Sequence, residues 1–120
     1  MELIGTGNAL LERLVGDWSL ISSRLKKICI YAQVDSVCID IELELMYKKG
    51  GSQVFLKFLD VDEYSFFYSS QRIFYNVEIC KFLNTGHHFY ISFDPVDDEE
   101  VPSGEDQDYI KAKSVEGYFL

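Results

Sequence analysis

Hydrophobic and polar residues alternate along much of the first half of the chain. Apolar side chains fall at nearly every second position in three runs, which cover residues 28–34, 39–47 and 54–58. This period of two is typical of strands with one buried face, because successive side chains of a strand point to opposite sides. Turn-forming residues separate the runs, as "QVDS" at 33–36 and "KKGGS" at 48–52. The pattern predicts antiparallel strands joined by hairpins.

A different period precedes these strands. Apolar residues recur there at spacings of three and four, at Leu10, Leu11, Leu14, Val15 and Trp18. That spacing places them on one face of an amphipathic helix. Asn8 is a suitable N-cap for this helix, and Gly16 is a suitable residue for its end. We expect one short helix of about two turns.

The second half of the chain is richer in aromatic and β-branched residues, which favour strands. The expected strands lie at 64–70, at 73–83, within 84–95 and near 109–116. "DVDEY" at 60–64 is expected to be a turn, and Asn84-Thr85-Gly86 a three-residue hairpin loop in which glycine supplies a positive φ. Residues 95–108 are acidic and contain Pro, Gly and Ser, which predicts a solvated loop of low order.

The length and these elements together define the expected fold. A chain of 120 residues is near the commonest size of a single domain. We therefore expect one globular domain spanning 1–120, with the acidic loop at about 95–108. The fold class is α+β and mostly β: a short N-terminal helix packed on an antiparallel meander sheet of six to seven strands.

Composition narrows the cellular setting. No basic stretch precedes an apolar run at the N-terminus, and no apolar run approaches the roughly 20 residues that cross a bilayer. Three cysteines without a Cys-x-x-Cys spacing fit free thiols in a reducing compartment. We expect a cytoplasmic protein that does not bind membranes.

The charge balance bears on possible partners. The chain has 11 basic and 20 acidic residues, which gives a formal charge of −9. Such a chain repels phosphate backbones, so we expect no direct binding to nucleic acid. The same charge favours encounter with a basic protein, although it also serves solubility alone.

Three carboxylates line one side of the predicted strand at 38–47: Asp40, Glu42 and Glu44. Neighbours on that face are roughly 6.5–7 Å apart, and each such pair repels by only about 0.6 kcal/mol in water. Each buried aliphatic residue on the opposite face contributes about 1.5–3 kcal/mol. We call these three residues the carboxylate ladder. The ladder needs no functional explanation, because burial of the opposite face outweighs the repulsion. Lys57, or Lys111 and Lys113, on neighbouring strands would partly neutralise its charge.

The alternative is a docking surface for a basic partner, formed by the ladder together with acids of the loop. The candidate partner-binding residues are Asp40, Glu42, Glu44, Asp94, Asp97, Asp98, Glu99 and Glu100. A second candidate surface is the aromatic segment 64–75, which is apolar on both faces. Packing explains most of its aromatic residues, but the second face must be buried against something, and another copy of the chain is one option. The candidate self-association residues are Phe66, Phe67, Tyr68 and Phe74.

Motifs for catalysis and cofactor binding are absent from the sequence. It contains no nucleophile elbow, no phosphate-binding loop and no dinucleotide fingerprint. Cys80 is close in sequence to His87 and His88, but no third group is placed to orient them. The Cys and His spacings do not suit zinc, and "DPVDDEE" lacks the alternation of a calcium loop. We expect no catalytic residue, no metal and no cofactor, with paired-carboxylate hydrolysis left open.

The order of features resembles a set of small acidic bacterial immunity proteins of polymorphic toxin systems. The resemblance runs through "GDWSL" after the helix, "KKICIYAQ", "CIDIELELMY", "VFLKFLDVDEY", "NVEI" and "IKAKSVEGY". Ser22-Ser23 stands where some of those proteins carry a His-Asp pair. The resemblance implies a non-enzymatic protein that binds and blocks a cognate toxin. The alternatives are a homodimeric β protein with a structural or interaction role, and a small hydrolase or metal-dependent enzyme.

Overall fold

The computed structural model describes residues 1–15, 19–46 and 53–120 of the chain. It contains eight strands and one helix within these ranges. In chain order they are β1 (Glu2–Thr6), α1 (Gly7–Arg13), β2 (Ser23–Gln33), β3 (Ser36–Glu44), β4 (Gln53–Ser65), β5 (Asn76–Val77), β6 (Lys81–Asn84), β7 (Phe89–Asp94) and β8 (Gln107–Phe119). The described helix is too short and not apolar enough to cross a membrane.

The strands form one curled antiparallel sheet. Seven of them follow the order β5-β2-β3-β4-β8-β7-β6, and β1 pairs with β8. β7 and β1 share one edge of β8, because β7 pairs with its first half and β1 with its last residues. The sheet and the short helix confirm the predicted α+β, mostly β class.

The core lies on the inner face of the sheet. Ile39, Ile41 and Leu43 of β3 are completely buried, and they pair with Phe58, Leu56 and Val54 of β4. This is the alternation that the sequence predicts, with the aliphatic side inward. Each of these side chains contributes about 1.5–3 kcal/mol through burial.

The helix begins earlier than the sequence suggests. It follows β1 directly, with Thr6 at the N-cap position, whereas Asn8 lies in the first turn and accepts a hydrogen bond of 2.8 Å from the Asn84 side chain. The prediction of Asn8 as N-cap is therefore wrong. Gly7 has a φ of +55°, which a residue without a side chain adopts readily, so strand and helix join without a loop. The helix ends at Arg13, and the predicted end residue Gly16 lies outside the described residues.

The helix packs on the sheet through Leu10. Its side chain lies over Gly117 of β8, where an added methyl group would sit 3.1 Å from Cδ2 of Leu10 and closer still to Cδ1. Leu10 itself is completely buried. A glycine at position 117 thus makes room for the helix on the sheet.

The three turns predicted before residue 65 have different outcomes. The turn before β3 is present, with Asp35 at a φ of +57°, and "KKGGS" lies outside the described residues. The turn predicted at 60–64 is wrong, because β4 continues to Ser65 in pairing with β8. The turn-forming residues form a bulge within β4 instead. Asp60 has a left-handed backbone conformation, and the register with β8 shifts between Val61 and Glu63.

The aromatic segment is mostly not a strand. Only residues 64 and 65 belong to β4, and residues 66–75 form no strand. Arg72 holds this segment through a hydrogen bond of 2.6 Å to the carbonyl oxygen of Phe67. The long strand predicted at 73–83 is likewise replaced by the short β5 and β6. The loop after β6 has Gly86 at a φ of +92°, as expected, although it spans four residues, 85–88.

Candidate partner-binding groove

The carboxylate ladder lies on the outer face of β3, as predicted, and each carboxylate has a cation on a neighbouring strand. Asp40 pairs with Lys57 of β4, which is one of the lysines expected to neutralise the ladder. Glu42 pairs with Lys27 of β2. The three carboxylate side chains are half-buried within this surface. Alternating charges therefore cover the outer face instead of a uniform acidic stripe.

The two ends of the ladder have further partners. At one end, the Tyr31 hydroxyl donates a hydrogen bond of 3.1 Å to Asp40, and burial together with this carboxylate raises the pKa of Tyr31. At the other end, Nζ of Lys26 lies 3.8 Å from Glu44. The ladder residues remain candidates for partner binding, but much of their charge is balanced within the chain.

The acidic loop is built around one buried carboxylate, Asp106. Its oxygens accept hydrogen bonds from the Tyr90 hydroxyl at 2.7 Å and from the backbone N–H groups of Val96 at 3.0 Å and Ser103 at 2.9 Å. The Asp106 side chain has no exposed surface. Both ends of the loop are therefore fastened to one point, which gives it a more defined shape than its composition suggests.

Lys81 of β6 lies beside this carboxylate. Its Nζ is 3.1 Å from both oxygens of Asp106, 2.9 Å from the carbonyl oxygen of Val101 and 2.8 Å from Asp97. Burial alone would lower the pKa of Lys81, but the hydrogen bonds that its ammonium group donates to Asp97 and Asp106 outweigh this effect, so the pKa is raised. Lys81 is thus a buried cation that ties three points of the loop to the sheet.

A groove of about 420 Å³ opens beside this buried pair. Its apolar floor comes from α1, from the segment before β2 and from β6, and includes Leu14, Leu20 and Phe82. The loop supplies its rim with Asp97, Asp98, Glu99 and Glu100. We call this feature the acidic-rimmed groove. It brings four of the predicted partner-binding residues together next to apolar surface.

Asp94, the fifth candidate acid near the loop, lies elsewhere. It accepts a hydrogen bond of 2.8 Å from Arg72, whose guanidinium also binds the buried carboxylate of Asp108. Asp108 in turn accepts a hydrogen bond of 3.0 Å from the backbone N–H of Phe67. Through Arg72, Asp94 thus helps to hold the aromatic segment against the ends of β7 and β8.

The four predicted self-association residues divide into two pairs. Phe66 and Phe74 pack against the core, whereas Phe67 and Tyr68 have exposed fractions of 60% and 65%. The Arg72 guanidinium lies 5.7 Å from the ring centre of Phe67 and 6.0 Å from that of Phe74. Half of this predicted surface is therefore available to a partner.

Two acidic residues of β4, Asp62 and Glu63, lie near His88. Nε2 of His88 lies 2.6 Å from Asp62, and Glu63 accepts a hydrogen bond of 2.6 Å from Tyr109. Cys80 is at the opposite end of the β6–β7 hairpin from His88, since Lys81 pairs with Ser92 and Asn84 with Phe89. Burial raises the pKa of the Cys80 thiol to about 12, which disfavours the nucleophilic thiolate. Across residues 1–15, 19–46 and 53–120, no three His, Cys, Asp or Glu side chains are grouped to hold a metal ion.

Sequence reasoning did not find the buried pair of Lys81 and Asp106. Lys81 follows the apolar run "IC" and precedes "FL", which is a weak signal for a buried lysine. Asp106 is one acid among several in its loop, and nothing local distinguishes it. Its partners at positions 81 and 90 become neighbours only through the fold.

A scan against protein-family models finds no match for this chain, and searches of curated proteins and of solved structures find none either. Function must therefore be inferred from the chemistry of the described surfaces.

Proposed function

We propose that the chain is a non-enzymatic binding protein that docks a basic protein partner in the acidic-rimmed groove. We further propose that the partner is a cognate toxin, so that the chain acts as an immunity protein in the cytoplasm. The observation that carries the proposal is that the groove combines an apolar floor with an acidic rim, formed by Asp97, Asp98, Glu99 and Glu100. The sequence resemblance to immunity proteins supports the same reading.

The groove chemistry suits a basic, amphipathic segment of the partner. One or two apolar side chains of that segment would cover the floor, and each contributes about 1.5–3 kcal/mol when buried. Lysines or arginines beside them would meet the rim, where exposed ion pairs contribute only about 0–1 kcal/mol each. The floor thus accounts for most of the affinity, and the rim for orientation and fast association.

The buried pair prepares the rim for binding. Lys81 fixes Asp97 at the groove, and Asp106 fixes the backbone at Val96 and Ser103. A loop that already has its bound shape loses less conformational entropy when the partner arrives. This supports a groove that is preformed and not assembled by the toxin.

The carboxylate ladder has a smaller place in the proposal. Asp40 and Glu42 already face lysines on neighbouring strands, so a basic partner gains less from them than from unpaired acids. Asp98 and Glu99 on the rim are exposed. We therefore assign the main contact to the rim and a secondary, long-range contribution to the ladder.

The test begins with identification of the partner by pull-down from the source organism, followed by binding measurements with the purified partner. The double variant Asp98→Lys/Glu99→Lys should slow association and weaken binding. The matched control Glu2→Lys/Glu105→Lys makes the same change in net charge at exposed acids outside the groove lining. Equal effects of the two double variants would remove the groove from the proposal.

Stoichiometry separates binding from catalysis. An immunity protein that works by occupancy should neutralise its toxin only when it is present in at least equimolar amount. Inhibition assays with fixed toxin and increasing chain concentration measure this directly. Complete neutralisation at a small fraction of the toxin concentration would instead favour an enzyme that modifies the toxin.

A further inference from the structure

Among the described strands, only β5 pairs with the outer edge of β2, and it covers a short part of that edge. β5 pairs only with Ser23 and Arg24, and the N–H of Leu25 then donates to the carbonyl oxygen of Tyr75 at 2.7 Å. Beyond that point, no strand within the described residues pairs with residues 26–33 on this side. An open edge presents a row of backbone donors and acceptors that another strand can use.

The side chains along this edge favour pairing. Residues 28–32 read Ile-Cys-Ile-Tyr-Ala, with Ile30 42% exposed, and neither proline nor an acidic residue occurs in β2. Natural edge strands are usually protected by charges, prolines or bulges. Here a bulge between Leu25 and Lys27, with the lysines at 26 and 27, protects only the beginning of the strand.

We propose that this edge pairs with the same edge of a second copy of the chain, antiparallel and about a two-fold axis at Ile30. The sheets of the two copies would then be continuous. In this register Cys29 of one copy faces Tyr31 of the other, and Lys27 faces Gln33. An interface of this kind is self-complementary, as a two-fold interface must be.

Charge supports a second copy as the occupant. The antiparallel register brings Lys26 and Lys27 of one copy to the uncharged end of the other strand and to its turn, which contains Asp35. The two copies of Lys27 would be about 20 Å apart along the strand, well beyond the Debye length of about 8 Å at physiological salt.

The local charge of β2 also matters for partner choice. It has three basic residues and no acid, and all three lie at its beginning, so the antiparallel register keeps the cations of one copy away from those of the other. A basic partner is repelled there. The edge is therefore distinct from the acidic-rimmed groove and does not depend on it.

Solution mass against concentration tests the proposal. Because edge pairing buries little area, we expect a weak dimer that is populated at about 100 µM. Ile30→Lys places two lysines at the axis and should return the chain to a monomer. Val101→Lys adds the same charge at an exposed residue of the acidic loop and should leave the dimer intact. A parent chain that is monomeric at that concentration, or a dimer that Ile30→Lys leaves unchanged, overturns the proposal.

Disulfide trapping tests the register without relying on a destabilising substitution. In a Cys29→Ser background, Ile30→Cys places a thiol at the axis and should give a covalent dimer under mild oxidation. Gln33→Cys in the same background is a matched control, since antiparallel pairing holds its two copies about 20 Å apart. Equal trapping at both positions, or none at Ile30→Cys, would overturn the antiparallel edge pairing.

The aromatic segment supplies a third comparison. Phe67→Lys changes an exposed aromatic residue outside the β2 edge. It should leave the dimer intact if the β2 edge forms the interface. If Phe67→Lys dissociates the dimer and Ile30→Lys does not, the interface is the aromatic segment and the edge proposal is wrong.

Discussion

Nζ of Lys81 lies 3.1 Å from both carboxylate oxygens of Asp106, and the two side chains are almost completely buried. This pair joins β6 to a loop whose composition alone suggests little order. Removal of one partner from a buried pair leaves an uncompensated charge, which costs more than the pair itself contributes. The stability of the chain should therefore be sensitive to either residue alone.

We predict that Lys81→Met lowers the free energy of unfolding by about 3 kcal/mol. The double variant Lys81→Met/Asp106→Asn should recover part of this loss, because no isolated charge then remains buried. Urea denaturation of both variants measures the effect. Lys113→Met, at an exposed lysine, is the control and should change stability little. A loss for Lys81→Met no larger than that control would mean that the pair does not hold the loop.

We predict that the stability of the chain falls in acid through Asp106. Burial would raise the pKa of Asp106, but the hydrogen bonds from Tyr90 and from the backbone of Ser103 and Val96 outweigh it, so the pKa is lowered. A lowered folded-state pKa means that this contribution is complete above the unfolded value of about 3.9. It is then lost as the pH falls through the folded value.

Urea denaturation between neutral pH and about pH 3 measures this dependence. Asp106→Asn should be less stable than the parent at neutral pH, and the difference should shrink as the solution becomes acidic. Glu105→Gln, at an exposed acid next to it in sequence, is the control. A difference between parent and Asp106→Asn that stays constant over the whole range would contradict the prediction.

We predict that Gly117→Ala destabilises the chain by about 1–3 kcal/mol through its contact with Leu10. The added methyl group would overlap the end of the Leu10 side chain, which is buried under the helix. Gly104→Ala, with open space around it, should have a much smaller effect. Combining Gly117→Ala with Leu10→Ala should give less than the sum of the two losses, as measured by thermal or urea denaturation.

We predict that Glu42→Lys/Glu44→Lys slows association with the partner, but by less than Asp98→Lys/Glu99→Lys. Reversal at the ladder creates like charges opposite Lys27 and near Lys26, at a cost of about 0.2–1 kcal/mol per pair, so thermal stability should change little. Stopped-flow association rates at low salt compare the two double variants. A larger effect at the ladder would make the outer face of β3 the main contact surface.

The buried face of the sheet was predictable because its signal is local and periodic. Burial of Ile39, Ile41 and Leu43 on one side leaves an alternation that any window of the sequence reveals. The acids between them were correctly placed on the other side, and Lys57 was correctly named as a neutralising neighbour of the ladder. These successes depend on neighbours within a strand or across one hairpin.

The errors come from interactions between distant positions. Residues 66–75 have the composition of a strand, but Arg72 binds Asp94 and Asp108, which lie 22 and 36 positions away. These side-chain contacts, and not backbone pairing with another strand, fix the conformation of the segment. The importance of Asp106 likewise depends on Lys81, 25 positions earlier. The groove could not be predicted for the same reason, since its floor and rim meet only after the sheet has formed.

Because the buried Lys81 holds the acidic loop, the shape of the groove does not depend on the exposed acids that attract a partner. Dissolved salt weakens the field of exposed acids such as Asp98 and Glu99, but it has little access to a pair that water does not reach. Raising the ionic strength should therefore remove the long-range electrostatic attraction of the groove but leave its conformation unchanged. At high ionic strength a partner would still fit the groove, but it would associate by diffusion without electrostatic attraction.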